Sequence, residues 1–175
     1  MTATYDCIAT TTLGSDTASV TFSSISGSFT DLVLVMVAAT THSSATFPYL
    51  RFNSDSATNY SVTELYGTGS AAGSARDSST SRGWIGFDIS ISTTVGNNVS
   101  TINVMNYSNT TTNKTWLARS NRADSALDYQ GTNAIVGLYR STSAITSIEL
   151  RNSRGGTDYN FASGSTFTLY GIKAE

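Results

Sequence analysis

Leu32-Val33-Leu34-Val35-Met36-Val37-Ala38 is the stretch that decides the fold. It is an unbroken apolar run, far shorter than the ~20 residues a membrane-spanning helix needs. Valine recurs at every second position, and alternate residues of a strand point to opposite faces. Both faces of this strand are therefore apolar. That pattern predicts a central strand covered on each side, or one half of a subunit contact.

Outward from this run the alternation continues. Ala18–Ser23, Tyr49–Phe52, Trp84–Ile91, Ile102–Tyr107, Ala134–Tyr139, Ile145–Leu150 and Thr166–Ile172 read as further strands of period two. Thr4–Thr12 and Lys114–Arg119 are shorter candidates. Val, Ile, Thr, Tyr and Phe dominate them, as a pleated surface prefers. Gly/Asn/Asp/Ser clusters separate them: Leu13–Asp16, Ser26–Ser28, Gly96–Asn98, Ser108–Asn113 and Arg154–Asp158. Such spacing suits antiparallel connections. Asp55–Leu65 reads as room for one helical turn. Gly67–Arg82 and Asn121–Thr132 read as long loops, the first with almost no large apolar group. The expected fold is all-β: one domain over residues 1–175, an antiparallel two-sheet jelly-roll sandwich of about eight to ten strands.

Composition narrows the function. In 175 residues there are 28 Ser and 28 Thr but only two Lys, Lys114 and Lys173, with a net charge of −2. The low cation content argues against a nucleic-acid binder, which needs a basic stripe. One Cys (Cys7) and one His (His42) leave no material for an intramolecular disulfide or a multi-histidine metal centre. No cofactor and no membrane contact are expected. The opening MTATYDCIAT lacks a signal peptide's charged and apolar regions, so synthesis in the cytosol is expected.

No catalytic constellation stands out. His42 sits beside Ser43 and Ser44, but a Ser-His-Asp triad is a matter of geometry, and an exposed loop histidine is the simpler reading. Glu64, Asp88, Asp124, Asp128 and Glu149 show no spacing that selects an acid pair; Asp88 and Glu149 read as solvent-facing, the others as lying in or near loops. Asn53–Asn59 resembles a calcium-loop fragment without its Gly and Glu, so an Asx-stabilised turn is expected. Cys7 reads as a small buried residue. The chain is thus expected not to be an enzyme, with no catalytic, cofactor or metal residues.

Contact residues are the remaining candidates. Arg predominates over Lys, as bidentate pairing at interfaces favours. Arg76 and Arg82 bracket the small-residue segment, and Arg119, Arg122, Arg151 and Arg154 flank others. Tyr60, Tyr66, Tyr107, Tyr129 and Tyr159 fall near turns, where aromatics stack on sugars or anchor partners. Arg76, Arg82, Arg122, Tyr66 and Tyr129 are the candidate subunit-contact residues.

The segment Asn160-Phe-Ala-Ser-Gly-Ser-Thr-Phe-Thr-Leu-Tyr-Gly-Ile-Lys-Ala174 resembles the closing strand of jelly-roll virion proteins of tailed bacteriophages. Val20–Ile25 with Phe29–Leu32, Leu50–Asn53 with Asn59-Tyr60, Trp116–Ser120 and Tyr139–Ile148 resemble other strands of that group. The resemblance implies a structural virion component with no catalytic site to carry over. It leaves open capsid decoration or cement, as a homotrimer clamping neighbouring major capsid subunits, and a tail fibre or receptor-binding module contacting host glycan. A polysaccharide depolymerase ranks last.

Overall fold

A computed structural model describes residues 4–86, 90–96, 98–124 and 129–173, with the backbone alone at 124 and 129. Within them the chain forms β1 (Tyr5–Thr12), β2 (Val20–Phe22), β3 (Asp31–Val37), β4 (Phe47–Phe52), β5 (Tyr60–Gly67), β6 (Ala72–Thr80), β7 (Gly83–Trp84), β8 (Asn98–Met105), β9 (Lys114–Asp124), β10 (Tyr129–Tyr139), β11 (Ile148–Arg154), β12 (Thr157–Tyr159) and β13 (Thr166–Ile172). There is no helix among the described residues.

The strands make two antiparallel sheets. The larger runs β1-β13-β3-β8-β9-β10-β5-β6, and the smaller runs β12-β11-β4-β7 with β2 paired to β11. The pairings nest: β8 with β9, β5 with β10, β4 with β11, β3 with β13. A long hairpin folded over on itself pairs in this way, and the two sheets form a sandwich as the alternation predicts.

The core lies where the apolar halves of the alternation meet. Leu32, Leu34 and Met36 of β3, Ile102 and Val104 of β8, Phe167 and Leu169 of β13, and Leu50 and Phe52 of β4 are all buried. Trp116 sits at its centre, edge-on to Phe52 at 5.7 Å. A Cβ on Gly137 would lie 2.0 Å from the Trp116 ring, so only glycine lets the indole lie on β10. Burying each such side chain contributes about 1.5–3 kcal/mol.

Several expectations change here. Gly67–Arg82 is not a loop: β6 pairs along β5 from Tyr60↔Thr80 to Gly67↔Ala72. Asn121–Thr132 is mostly hairpin, because β9 continues to Asp124 and β10 begins at Tyr129. Asp55–Leu65 holds no helical turn but the start of β5, whose backbone bonds to both β10 and β6. Tyr60 and Tyr107 are fully buried rather than loop anchors. Cys7 is exposed, because the register shift between Cys7 and Ala9 sends Ala9 to the core side and turns Cys7 outward. Of the expected strand Trp84–Ile91, Gly83–Trp84 pairs with β4 and Ile91 bridges to Thr46, while 87–89 lie outside the described residues.

Candidate interaction surface

The inner side of the larger sheet is occupied by core. Among the described residues no other strand covers its outer side, and register fixes what it presents. One cross-strand row reads Cys7, Tyr170, Val33, Asn103, Leu117, Val136, Thr63, Arg76 from β1 to β6. The next reads Thr10, Thr168, Val35, Thr101, Arg119, Ala134, Leu65, Ser74. On either side lie the rows through Val37 with Val99 and through Asp31 with Met105 and Leu138. Leu65, Val136 and Leu117 are 63%, 50% and 44% exposed. Contiguous apolar exposure of this kind marks an interaction site, whereas scattered single residues do not. Val35 and Val37 are half-buried. The strand that decided the fold is therefore central, with one face in the core and the other on this surface.

Hydroxyls tie the β1 edge of the face together: Thr10 donates to Thr168 at 3.1 Å and Thr12 bonds Thr166 at 3.2 Å. Two shallow depressions mark the other half. One, of 320 Å³, lies among Thr63, Arg76, Val136, Leu138 and Arg140; the other, of 330 Å³, lies among Leu65, Arg119, Thr132 and Ala134.

The outer side of the smaller sheet differs. Tyr49 donates to Asp158 at 3.0 Å and meets Trp84 edge-on at 5.7 Å. The Arg82 guanidinium lies 5.2 Å from the Tyr49 ring and 5.6 Å from the Trp84 ring, and donates to the Gly156 carbonyl at 3.1 Å. Arg151 joins Glu149 at 3.1 Å and also pairs with Asp158. Trp84 donates to Asp77 at 2.9 Å. Burial pushes the Tyr49 phenol above its ordinary value; the neighbouring Asp158 carboxylate adds to the rise and Arg151 opposes it. Apart from the Arg82 Nε, which is buried without a hydrogen-bond partner, the polar groups named here are answered from within the chain.

A third polar group lies inside the sandwich. Ser100 donates to Ser120 at 2.8 Å, Asn133 accepts from the Ser120 amide at 2.9 Å, and Asn133 donates in turn to Glu64. Glu64 is fully buried in β5, not in a loop. Arg122, 5% exposed, donates to Ser90 at 2.8 Å. Lys114 is also buried and donates to the Thr112 and Thr142 carbonyls at 2.7 and 3.1 Å; burial lowers its pKa.

The five candidate contact residues do not share one surface. Arg76 stands on the bare outer face. Tyr66 falls on the inner side of β5, its ring against Gly73. Arg82 belongs to the Tyr49–Trp84 cluster and Arg122 to the interior. The Tyr129 side chain lies outside the described residues, as do Asp88, Asp128 and the Asp124 side chain. Leu65, Leu117 and Val136 are the surface residues that the sequence reading passed over; Arg119 it named among the flanking arginines without choosing it. The signal was present, because Trp116-Leu117 and Ile135-Val136 are adjacent apolar pairs that break the alternation.

The catalytic candidates do not assemble. The His42 Nδ1 faces the Ser44 backbone, with its carbonyl oxygen at 2.9 Å, and the ring packs on Tyr159 at 4.1 Å. Asp55 accepts from the Ala57 amide, Asn59 and Tyr139, while Asn53 accepts from the Thr146 and Ser147 amides. This is the expected Asx-stabilised turn. Burial raises the Asp55 pKa, but those hydrogen bonds outweigh it and leave it below the ordinary carboxylate value. Among the described residues no group of three His, Cys, Asp or Glu is placed to hold a metal ion.

No known protein-family model matches this chain, and no curated protein matches it in sequence.

Proposed function

We propose that the chain is a structural protein of a bacteriophage virion: a capsid decoration or cement protein that clamps neighbouring major capsid subunits and stabilises the head. It acts by contact, without catalysis, cofactor or nucleic-acid binding, as a homotrimer suited to the threefold points of a capsid. The observation that carries the contact part is the bare outer face of the larger sheet, where Leu65, Leu117 and Val136 project into solvent. The virion part rests on the likeness of the Asn160–Ala174 segment and the earlier strand motifs to jelly-roll virion proteins. A Ser/Thr-rich, Lys-poor sandwich supports both, because small hydroxyls pair across strands and keep the remaining faces soluble.

The test is to compare particles assembled with and without the protein. Particles that lack it are expected to release their DNA at lower temperature or under milder osmotic shock, and imaging is expected to place its density on the head. Equal robustness, with no density on the head, would contradict the reading. Binding of the isolated protein to host glycans would move it to a tail or fibre role.

A further inference from the structure

The bare face is electrically two-sided. Its charged side chains that point outward from the strands, among the described residues, are Asp31, Arg76 and Arg119. Asp31 lies in the half formed by β1, β13 and β3, beside Val33, Val35 and Val37. Arg76 and Arg119 lie in the half formed by β9, β10, β5 and β6, beside Leu117, Val136 and Leu65. Arg140 adds a third cation there. It donates to Ser61 at 2.7 Å, and Ser61 lies in the same cross-strand row as Asp31. Asp77, the acid nearest these arginines along β6, points the other way, toward Trp84. Each half thus carries an apolar patch, and the two halves carry opposite charge.

Size fits the same occupant. Eight strands at about 4.8 Å spacing, and four rows about 7 Å apart, make a face of roughly 1,000 Å². A head-to-tail contact uses one half of the face per copy, roughly 500 Å² a side and about 1,000 Å² in all, the lower end of a specific interface. The depression between Arg76 and Arg140 is floored by Val136 and Leu138, so it offers an acid-and-aliphatic surface both of its needs. The opposite half supplies that chemistry with Asp31, which also accepts from the Asn106 amide at 2.7 Å, and the half-buried Val35 and Val37; Val33 between them is buried.

We propose that this face joins copies of the chain head to tail: the Asp31 half of one copy seats on the arginine half of the next. A head-to-tail contact closes into a ring when its rotation permits. Closure at three copies rests on the function proposed above; the contact itself rests on the register and charge of the face.

Native mass spectrometry and light scattering of the intact chain test the contact. The wild type is expected to be an oligomer at micromolar concentration. Arg76→Glu with Arg119→Glu is expected to weaken association by about a hundredfold, since like charges then face across the contact. Adding Asp31→Arg to that double variant is expected to restore association. Leu117→Ser with Val136→Ser gives a second route to the monomer that leaves the charges of both halves unchanged, and circular dichroism checks that each variant keeps its β-sheet. A monomeric wild type overturns the proposal, as does an oligomer indifferent to these changes. A monomer whose face becomes protected only on particles also overturns it, and assigns the face to a shell protein. An oligomer that fails to protect particles leaves the contact standing and contradicts the virion role.

Discussion

The two outer faces of the sandwich solve the same problem in opposite ways. Both sheets must present something to water. The smaller sheet covers its outer aromatics with its own arginines, so Tyr49 is fully buried although it points away from the core. Its Arg151 is spent on Glu149 and Asp158, and its Trp84 indole N–H on Asp77 of β6. On the larger sheet Leu65, Leu117 and Val136 stand uncovered, and among the described residues no ion pair joins Arg76 or Arg119 to a carboxylate. The difference separates two uses of the same residue types. Arginine and aromatics on the smaller sheet contact one another within the fold; arginine and aliphatics on the larger sheet are the ones proposed to meet another copy. Substitutions on the first should therefore cost stability, and substitutions on the second should cost assembly.

The largest effect is expected at Tyr49. Tyr49→Ala removes a fully buried ring, its bond to Asp158 and the platform under Arg82, and should destabilise the fold by about 3–5 kcal/mol in urea unfolding. A loss below about 1 kcal/mol would mean that this face is not self-supporting.

Alkaline titration comes next. Burial raises the pKa of Tyr49, and likewise of Tyr60, Tyr107 and Tyr139 in the core, above the ordinary 10.0. The folded state then holds these protons more tightly than the unfolded state. Their contribution is fully present below pH 10 and is lost as pH climbs from there through the raised values. Each group costs at most about 1.4 kcal/mol per pH unit in that range. Unfolding midpoints at successive alkaline pH values should fall, and Tyr49→Phe should flatten the slope by one group's share.

Arg82→Ala should cost about 1–2 kcal/mol, from its contacts over two rings and its bond to Gly156, with no change in oligomer mass. Smallest of all, Leu117→Ser or Val136→Ser should shift monomer stability by no more than about 0.5 kcal/mol when measured on dilute, dissociated chains. The same variants should weaken association. Equal stability losses on both faces would erase the distinction between them.

Much of this was legible in the sequence. The double-sided run in β3 and the clean alternation in β8 and β13 specified a sandwich, because burial enforces period two wherever one face meets the core. β6 was not legible. Ala, Gly and Ser bury little there, and what makes the segment a strand is backbone pairing with β5, which leaves no hydrophobic period. Glu64 was misplaced because carboxylates are rarely buried; its partner Asn133 comes from a strand far along the chain. The candidate surface was half legible. Arg76 could be named, but Leu117 and Val136 become neighbours only once β9 and β10 are in register.

Hydroxyl-radical footprinting of the intact protein, concentrated and then diluted to dissociation, compares the two faces within one sample. The account predicts that Leu65, Leu117 and Val136 are protected when concentrated and become reactive on dilution, while Tyr49 and Trp84 react equally in both. Reactivity of the three aliphatic residues that is high and independent of concentration would contradict it.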